Sequence, residues 1–214
     1  GLASMILSMC LINFLSRLTY ENILSPMLLA RTGGNEQLMG MVSSVLGMGG
    51  IAGGLLVAAG RIKGKPVKMI YLSAAFSFLF GDLCMGLGRN VWIWSLAGLA
   101  ASVPIPFLSA GQQQILYNRV PREIQGRIFA VRNALQYSSI PAGILLGGWL
   151  ADYVFEPFMS GGSRAAAFLG MLVGAGKGSG MALMFLCTGV LGAAASIYWY
   201  GNREIKALDA EEEG

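Results

Sequence analysis

The 214-residue chain contains no histidine, few charged residues (12%) and only three cysteines. Without histidine there is no histidine triad, no histidine-ligated metal and no histidine proton relay, which removes many enzyme classes at once. Cys10, Cys84 and Cys187 lie inside apolar runs with no CxxC spacing, so neither a disulfide framework nor a zinc site is indicated. What the chain has in quantity is apolar surface: 55% hydrophobic residues and a mean hydropathy of +0.61. With 31 glycines and 12 methionines this is the composition of a membrane protein, whose helices associate through small residues rather than by exclusion of water.

Six apolar stretches come near the ~20 residues that cross ~30 Å of hydrocarbon. They run over Ala3–Leu29, Leu38–Gly60, Met69–Leu87, Val91–Leu116, Ile128–Val154 and Met181–Tyr200, followed by an acidic tail over 201–214. The runs are continuous rather than alternating, so helices are expected and a strand barrel is not. The expected fold is an all-α membrane protein, a six-transmembrane-helix bundle. The apolar middle of the long connection before the last span is too short to cross and reads as an interfacial or re-entrant piece.

Basic residues fall unevenly between the spans. "RIKGKPVK", "YNRVPREIQGR" and "GNREIK" carry nine lysines and arginines, whereas the alternate connections carry only Arg31, Arg89, Arg164 and Lys177. The positive-inside rule then puts both basic loops and both termini in the cytoplasm of a multi-pass protein of the cell membrane. The chain opens with "GLASM" directly into a span, which leads us to expect a further N-terminal half.

Charges inside spans are costly, roughly 2.5–3.5 kcal/mol each at a helix centre, so those present demand a use. Arg17 and Glu21 stand four apart on one face of the first span, with Asn13 a turn earlier. Two readings fit. A structural pair that fixes packing would cost roughly 3–5 kcal/mol to break if well buried. A substrate or proton pathway would instead use Glu21 as the proton-linked group. In the fourth span, Pro104 and Pro106 interrupt the helix and Gln112, Gln113 and Gln114 follow; at ~100° per residue the three glutamines fan around the helix, so at least one faces a cavity or a neighbour. Interfacial glutamines near the inner surface are the alternative. Asp82 and Asp152 lie near the outer ends of their spans, one expected to snorkel to water and the other to anchor its helix, and Arg132 is expected at the inner interface. An aspartyl protease built on Asp82 and Asp152 lacks the flanking residues of that chemistry.

Small residues mark the expected crossings. Gly49 and Gly53, and Gly50 and Gly54, form overlapping GxxxG spacings in the second span. Gly143 and Gly147 repeat the spacing in the fifth, beside Pro141, whose missing N–H favours a kink. Such helices suit either a bundle that rocks or one that is packed and static.

The loop "GGLLVAAGRIKGKPVKMI", with Arg61 and Lys65, is similar to the cytoplasmic loop motif of the major facilitator superfamily, although Gly60 stands where an aspartate is usual. The stretch "NRVPREIQGRIFAVRNALQYSSIPAGILLGGWLADYVFEPFM" has the order Val-Pro, acidic-polar turn, Gly126-Arg127, apolar helix, Pro141 with spaced glycines, and Leu-Ala-Asp. This order resembles the C-terminal half of macrolide-efflux-type facilitators, and "GSGMALMFLCTGVLGAAASIYWY" resembles their closing span. The resemblance covers essentially the whole chain. It implies one half of a two-bundle secondary transporter that exports small hydrophobic compounds against protons. Its expected partners are membrane lipid, protons, the substrate, and a missing N-terminal six-helix half or a second copy. No enzymatic activity, cofactor, metal or nucleic acid is expected. A non-transporting membrane scaffold on the same bundle is the alternative.

Overall fold

The computed structural model describes residues 1–60 and 64–210. Within them the chain is all-helical, in the order α1 (Leu2–Tyr20), α2 (Leu24–Arg31), α3 (Glu36–Ala58), α4 (Pro66–Phe76), a π-helical stretch Ser77–Asp82, α5 (Leu83–Leu87), α6 (Val91–Ser102) and α7 (Ile105–Arg119). Then come α8 (Arg122–Leu150), a second π-helical stretch Ala151–Phe155, α9 (Glu156–Ser160), α10 (Arg164–Val173), α11 (Ser179–Gly201) and α12 (Arg203–Ala210). Local chemistry explains several starts. Asn35 and Asn90 accept the N–H groups of Leu38 and Ile93 at 3.1 and 2.9 Å, and Pro66 occupies the first position of α4, where its missing N–H costs nothing.

Five helical units among the described residues are long and apolar enough to cross a bilayer: Leu2–Arg31, Glu36–Ala58, Pro66–Leu87, Val91–Arg119 and Ser179–Gly201. Large apolar side chains such as Ile51, Leu55, Trp92, Leu96, Leu145 and Val190 cover the outside of the bundle, which suits hydrocarbon rather than water. The helix over the expected fifth span, α8, is as long at 29 residues but does not reach the same apolarity. Its own residues supply the reason: Arg132, Asn133, Gln136 and Tyr137 line an internal cavity described below. The connection before α11 holds two short helices, α9 and the ten-residue α10, both too short to span.

The helices pack as two groups. In one, α1 pairs with α8; in the other, α3 lies against α6 and α7, with α4 against α7. The most enclosed helix, α11, touches both α1 and α4 and joins the groups. Between α7 and α8 direct contact is sparse.

Glycines set the closest crossings. Gly143 and Gly147 lie against Arg17 and Leu18, and any side chain at Gly147 would run into the Leu18 carbonyl. Gly49 lies against Ser102, and Gly53 against Val103 and Pro106. The companion pair behaves differently from the sequence expectation. Gly50 and Gly54 face open space, because a helix crossing uses only one stripe and one residue along rotates a side chain by ~100° out of it. The two prolines of the fourth span break it at Val103 and Pro104, between α6 and α7, and Ser77 Oγ donates to the Ala101 carbonyl at 2.8 Å beside the break. By contrast α8 runs through Pro141, which lies on its exposed face.

The C-terminal segment is not merely a solvated tail over its described part. In α12, Ile205 and Leu208 are buried in the same core as Met5 and Tyr71. Asp209 accepts the Val67 N–H at 3.0 Å, capping α4, while Arg119 donates to the carbonyls of Ala207 and Leu208. Ser4 Oγ donates to Glu204 at 2.7 Å. Both ends of the described chain therefore meet at one end of the bundle, together with Lys65 and the turn between α7 and α8. At the opposite end, Arg31 donates to the carbonyls of Gly88 and Val173, and Arg89 to that of Met171 at 2.6 Å, tying the connections together. Arg61 lies outside the described residues; Lys65, Gly126 and Arg127 are exposed.

Candidate functional site

A cavity of about 590 Å³ opens where the α1–α8 pair and the α3–α6–α7 group separate. That size is typical of sites for small organic ligands. Its walls are polar to a degree unexpected inside an apolar bundle. Serines come from four of the expected spans, Ser16, Ser43, Ser73, Ser102 and Ser109 among them, and the charged or amide residues also come from four.

From the first span, Asn13, Arg17 and Glu21 all line this cavity, together with Tyr20. Arg17 and Glu21 form an ion pair, and the Gly143 crossing against Arg17 holds that turn of α1 in place. The pair is not well buried: its side chains are 33% and 36% exposed, so a purely structural role would contribute little stability. From α7 come Pro104 at its head, Gln112, which is buried, and Gln113, which is exposed. Gln114 lies on the outer surface and does not reach the cavity, as the helical fan of three adjacent residues requires for one of them.

Several cavity residues were not singled out from sequence. Asp82 does not snorkel to water. It is 1% exposed, lines the cavity, and accepts a hydrogen bond from Thr188 Oγ1 of α11 at 2.8 Å. The carboxyl sits at the end of the π-helical stretch, where the widened turn shifts the register and presents it inward; such stretches recur at functional sites. The Tyr20 hydroxyl is also buried and faces the Asp82 carboxyl. Arg132 lines the cavity as well. Its guanidinium donates to Asn133 Oδ1 at 2.9 Å and lies over the Phe129 ring, 5.3 Å from the centroid. A signal for this group was present: positions 132 and 136, and 133 and 137, are four apart and define one polar stripe on α8. Gln136 Nε2 donates to Gln112 Oε1 at 3.3 Å, one of the few links between the two helix groups.

Two buried polar atoms of residues that line this cavity, Gln112 Nε2 and Arg132 Nη1, have no hydrogen-bond partner among the described residues. Buried groups are normally paired, so two unused donors around one space mark a place that takes up water or a ligand. Asp152 is exposed near the end of its helix and stays apart from the cavity, so Asp82 and Asp152 do not face each other across it. Among the described residues no cluster of potential metal ligands occurs.

No known family profile, curated protein or solved structure matches the chain.

Proposed function

We propose that this chain is a six-helix half of a secondary transporter of the facilitator type, which exports small hydrophobic compounds in exchange for protons. The observation that carries the reading is the polar cavity, which gathers Arg17, Glu21, Asp82, Gln112 and Arg132 inside a bundle otherwise built for lipid. Taking α8 as the sixth span gives the half-transporter count. Two helix groups joined through α11 and parted by a cavity are the parts that a rocking motion needs.

Aromatic and aliphatic wall residues, among them Phe78, Leu108 and Tyr137, would receive the apolar body of a substrate, while the serines and amides orient its polar groups. Two carboxyls are available for protons. Glu21 can exchange its partner Arg17 for a proton when the helices move, and Asp82 is enclosed beside Tyr20 and Thr188. Glu21, Gln113 and Tyr137 line the cavity yet are exposed, so its polar wall is open on one side. Open polar groups are costly against hydrocarbon, and a second half, either a missing N-terminal bundle or another copy of this chain, would close that side. In this reading the end that carries α12 faces the cytoplasm.

Reconstitution tests the proposal. The chain in proteoliposomes, with its natural partner half if one exists, is expected to drive accumulation of a hydrophobic fluorescent dye when a proton gradient is imposed, and a protonophore is expected to stop it. Dye movement equal to that of empty vesicles with either arrangement would favour the scaffold reading.

A further inference from the structure

We propose that a second hollow, of about 310 Å³ at the end of the bundle opposite α12, binds a phosphate group, with the headgroup of an anionic phospholipid as its source. The inference is independent of whether the large cavity transports anything.

Three cations from distant parts of the chain meet there: Arg31 at the end of α2, Arg89 before α6 and Lys177 in the turn before α11. None of the three forms an ion pair with a described residue. Arg31 is fixed by donation to the carbonyls of Gly88, Val173 and Gly178, and Arg89 by its bond to Met171. The carboxylate acting on Arg31 is that of Glu156, whose Oε1 already accepts the Met181 N–H at 3.1 Å. Like charges held this closely repel, and an anion between them removes the repulsion. Guanidinium and ammonium donors are also the groups that recognise phosphate oxygens.

A second observation points the same way. Trp94 lines this hollow, is 2% exposed, and its indole N–H is buried without an acceptor among the described residues. An indole can only donate, so what is missing at this wall is an acceptor.

The surroundings choose the lipid over the free ion. Trp92, one turn-half away on α6, is 68% exposed, as expected for an aromatic residue at headgroup depth. Next to the hollow, α10 exposes Phe168, Met171 and Leu172, and Arg89 holds the Met171 carbonyl. A short helix with such a face lies along the interface and receives acyl chains. Phosphate donors and acyl contacts are thus adjacent.

The test uses the whole chain in a neutral detergent, with thermal unfolding followed during titration with dioctanoyl phosphatidylglycerol, dioctanoyl phosphatidylcholine, or sodium phosphate against sodium chloride of equal ionic strength. Phosphatidylglycerol is expected to raise the unfolding temperature by several degrees and to saturate, with at least a tenfold weaker apparent affinity in Lys177→Gln and in Arg89→Gln. Trp94→Phe, which keeps the charges but removes the donor, is expected to weaken the response as well. A response to phosphate equal to that to phosphatidylglycerol would keep the site but overturn the lipid as its source. An equal response to phosphatidylcholine, no saturable response, or one unchanged in Lys177→Gln would overturn the site itself. Lys177 lies on an exposed turn, so its variant carries the test even if Arg89→Gln fails to fold.

Discussion

Asp82→Asn is expected to reduce proton-driven dye accumulation to the level of empty vesicles while the bundle stays folded. Asparagine keeps the shape of the side chain and an oxygen that accepts from Thr188 Oγ1, but it cannot take up or release a proton. Thr188 remains satisfied in any case, since its hydroxyl is also within reach of the Met184 and Phe185 carbonyls. The loss of stability should therefore be about 1 kcal/mol or less, the range of one hydrogen bond exchanged for another. Thermal unfolding in detergent, measured beside transport in vesicles, checks both halves of the expectation. Full coupling in Asp82→Asn would remove Asp82 from the proton path and leave Glu21 as the candidate.

Asp82 also shows where reading the sequence ends. Its position near the end of an apolar run is compatible with snorkelling, and nothing nearby in sequence argues otherwise. What encloses it, Thr188, stands 106 residues away, and the π-helical stretch that presents it depends on how α4 packs against α11. Local patterns do not record such contacts. The Arg17–Glu21 pair was legible for the opposite reason: the helical repeat alone puts Asn13, Arg17 and Glu21 on one face, and charge inside an apolar run calls for a polar destination. The α8 stripe of Arg132, Asn133, Gln136 and Tyr137 had the same signature, but it was obscured by the position of Arg132 close to a basic loop. The glycine spacing showed that α3 crosses another helix, not which of its two overlapping pairs does so. That choice depends on the neighbour, and Ser102 and Val103 make it for Gly49 and Gly53.

Removing the charge of Glu21 is expected to separate function from stability in the same way, with a different pattern across partners. Because the Arg17–Glu21 pair is about one-third exposed toward the cavity, Glu21→Gln and Arg17→Gln should each change stability by no more than about 1 kcal/mol, the range of solvent-accessible pairs. A well-buried pair would cost several times more when one partner is lost. Transport, however, should fall to background in Glu21→Gln and stay there in the double variant, since the missing group is a proton acceptor rather than a packing contact. The thermodynamic cycle over the two single variants and the double variant measures the stability coupling directly. Large coupling in stability, together with normal transport in the double variant, would make the pair a packing device.

We propose that the 590 Å³ cavity holds the transported compound. This claim is tested most directly by Ser109→Cys, on the cavity wall, in a background without the three native cysteines, with Ser163→Cys at the exposed N-cap of α10 as the reference. The rate of reaction with a small water-soluble maleimide is measured with and without a compound whose movement the protein drives. Saturable slowing at position 109, at the concentrations that saturate transport, with no change at position 163, is the predicted result. An unchanged rate at position 109 under saturating compound would contradict the claim.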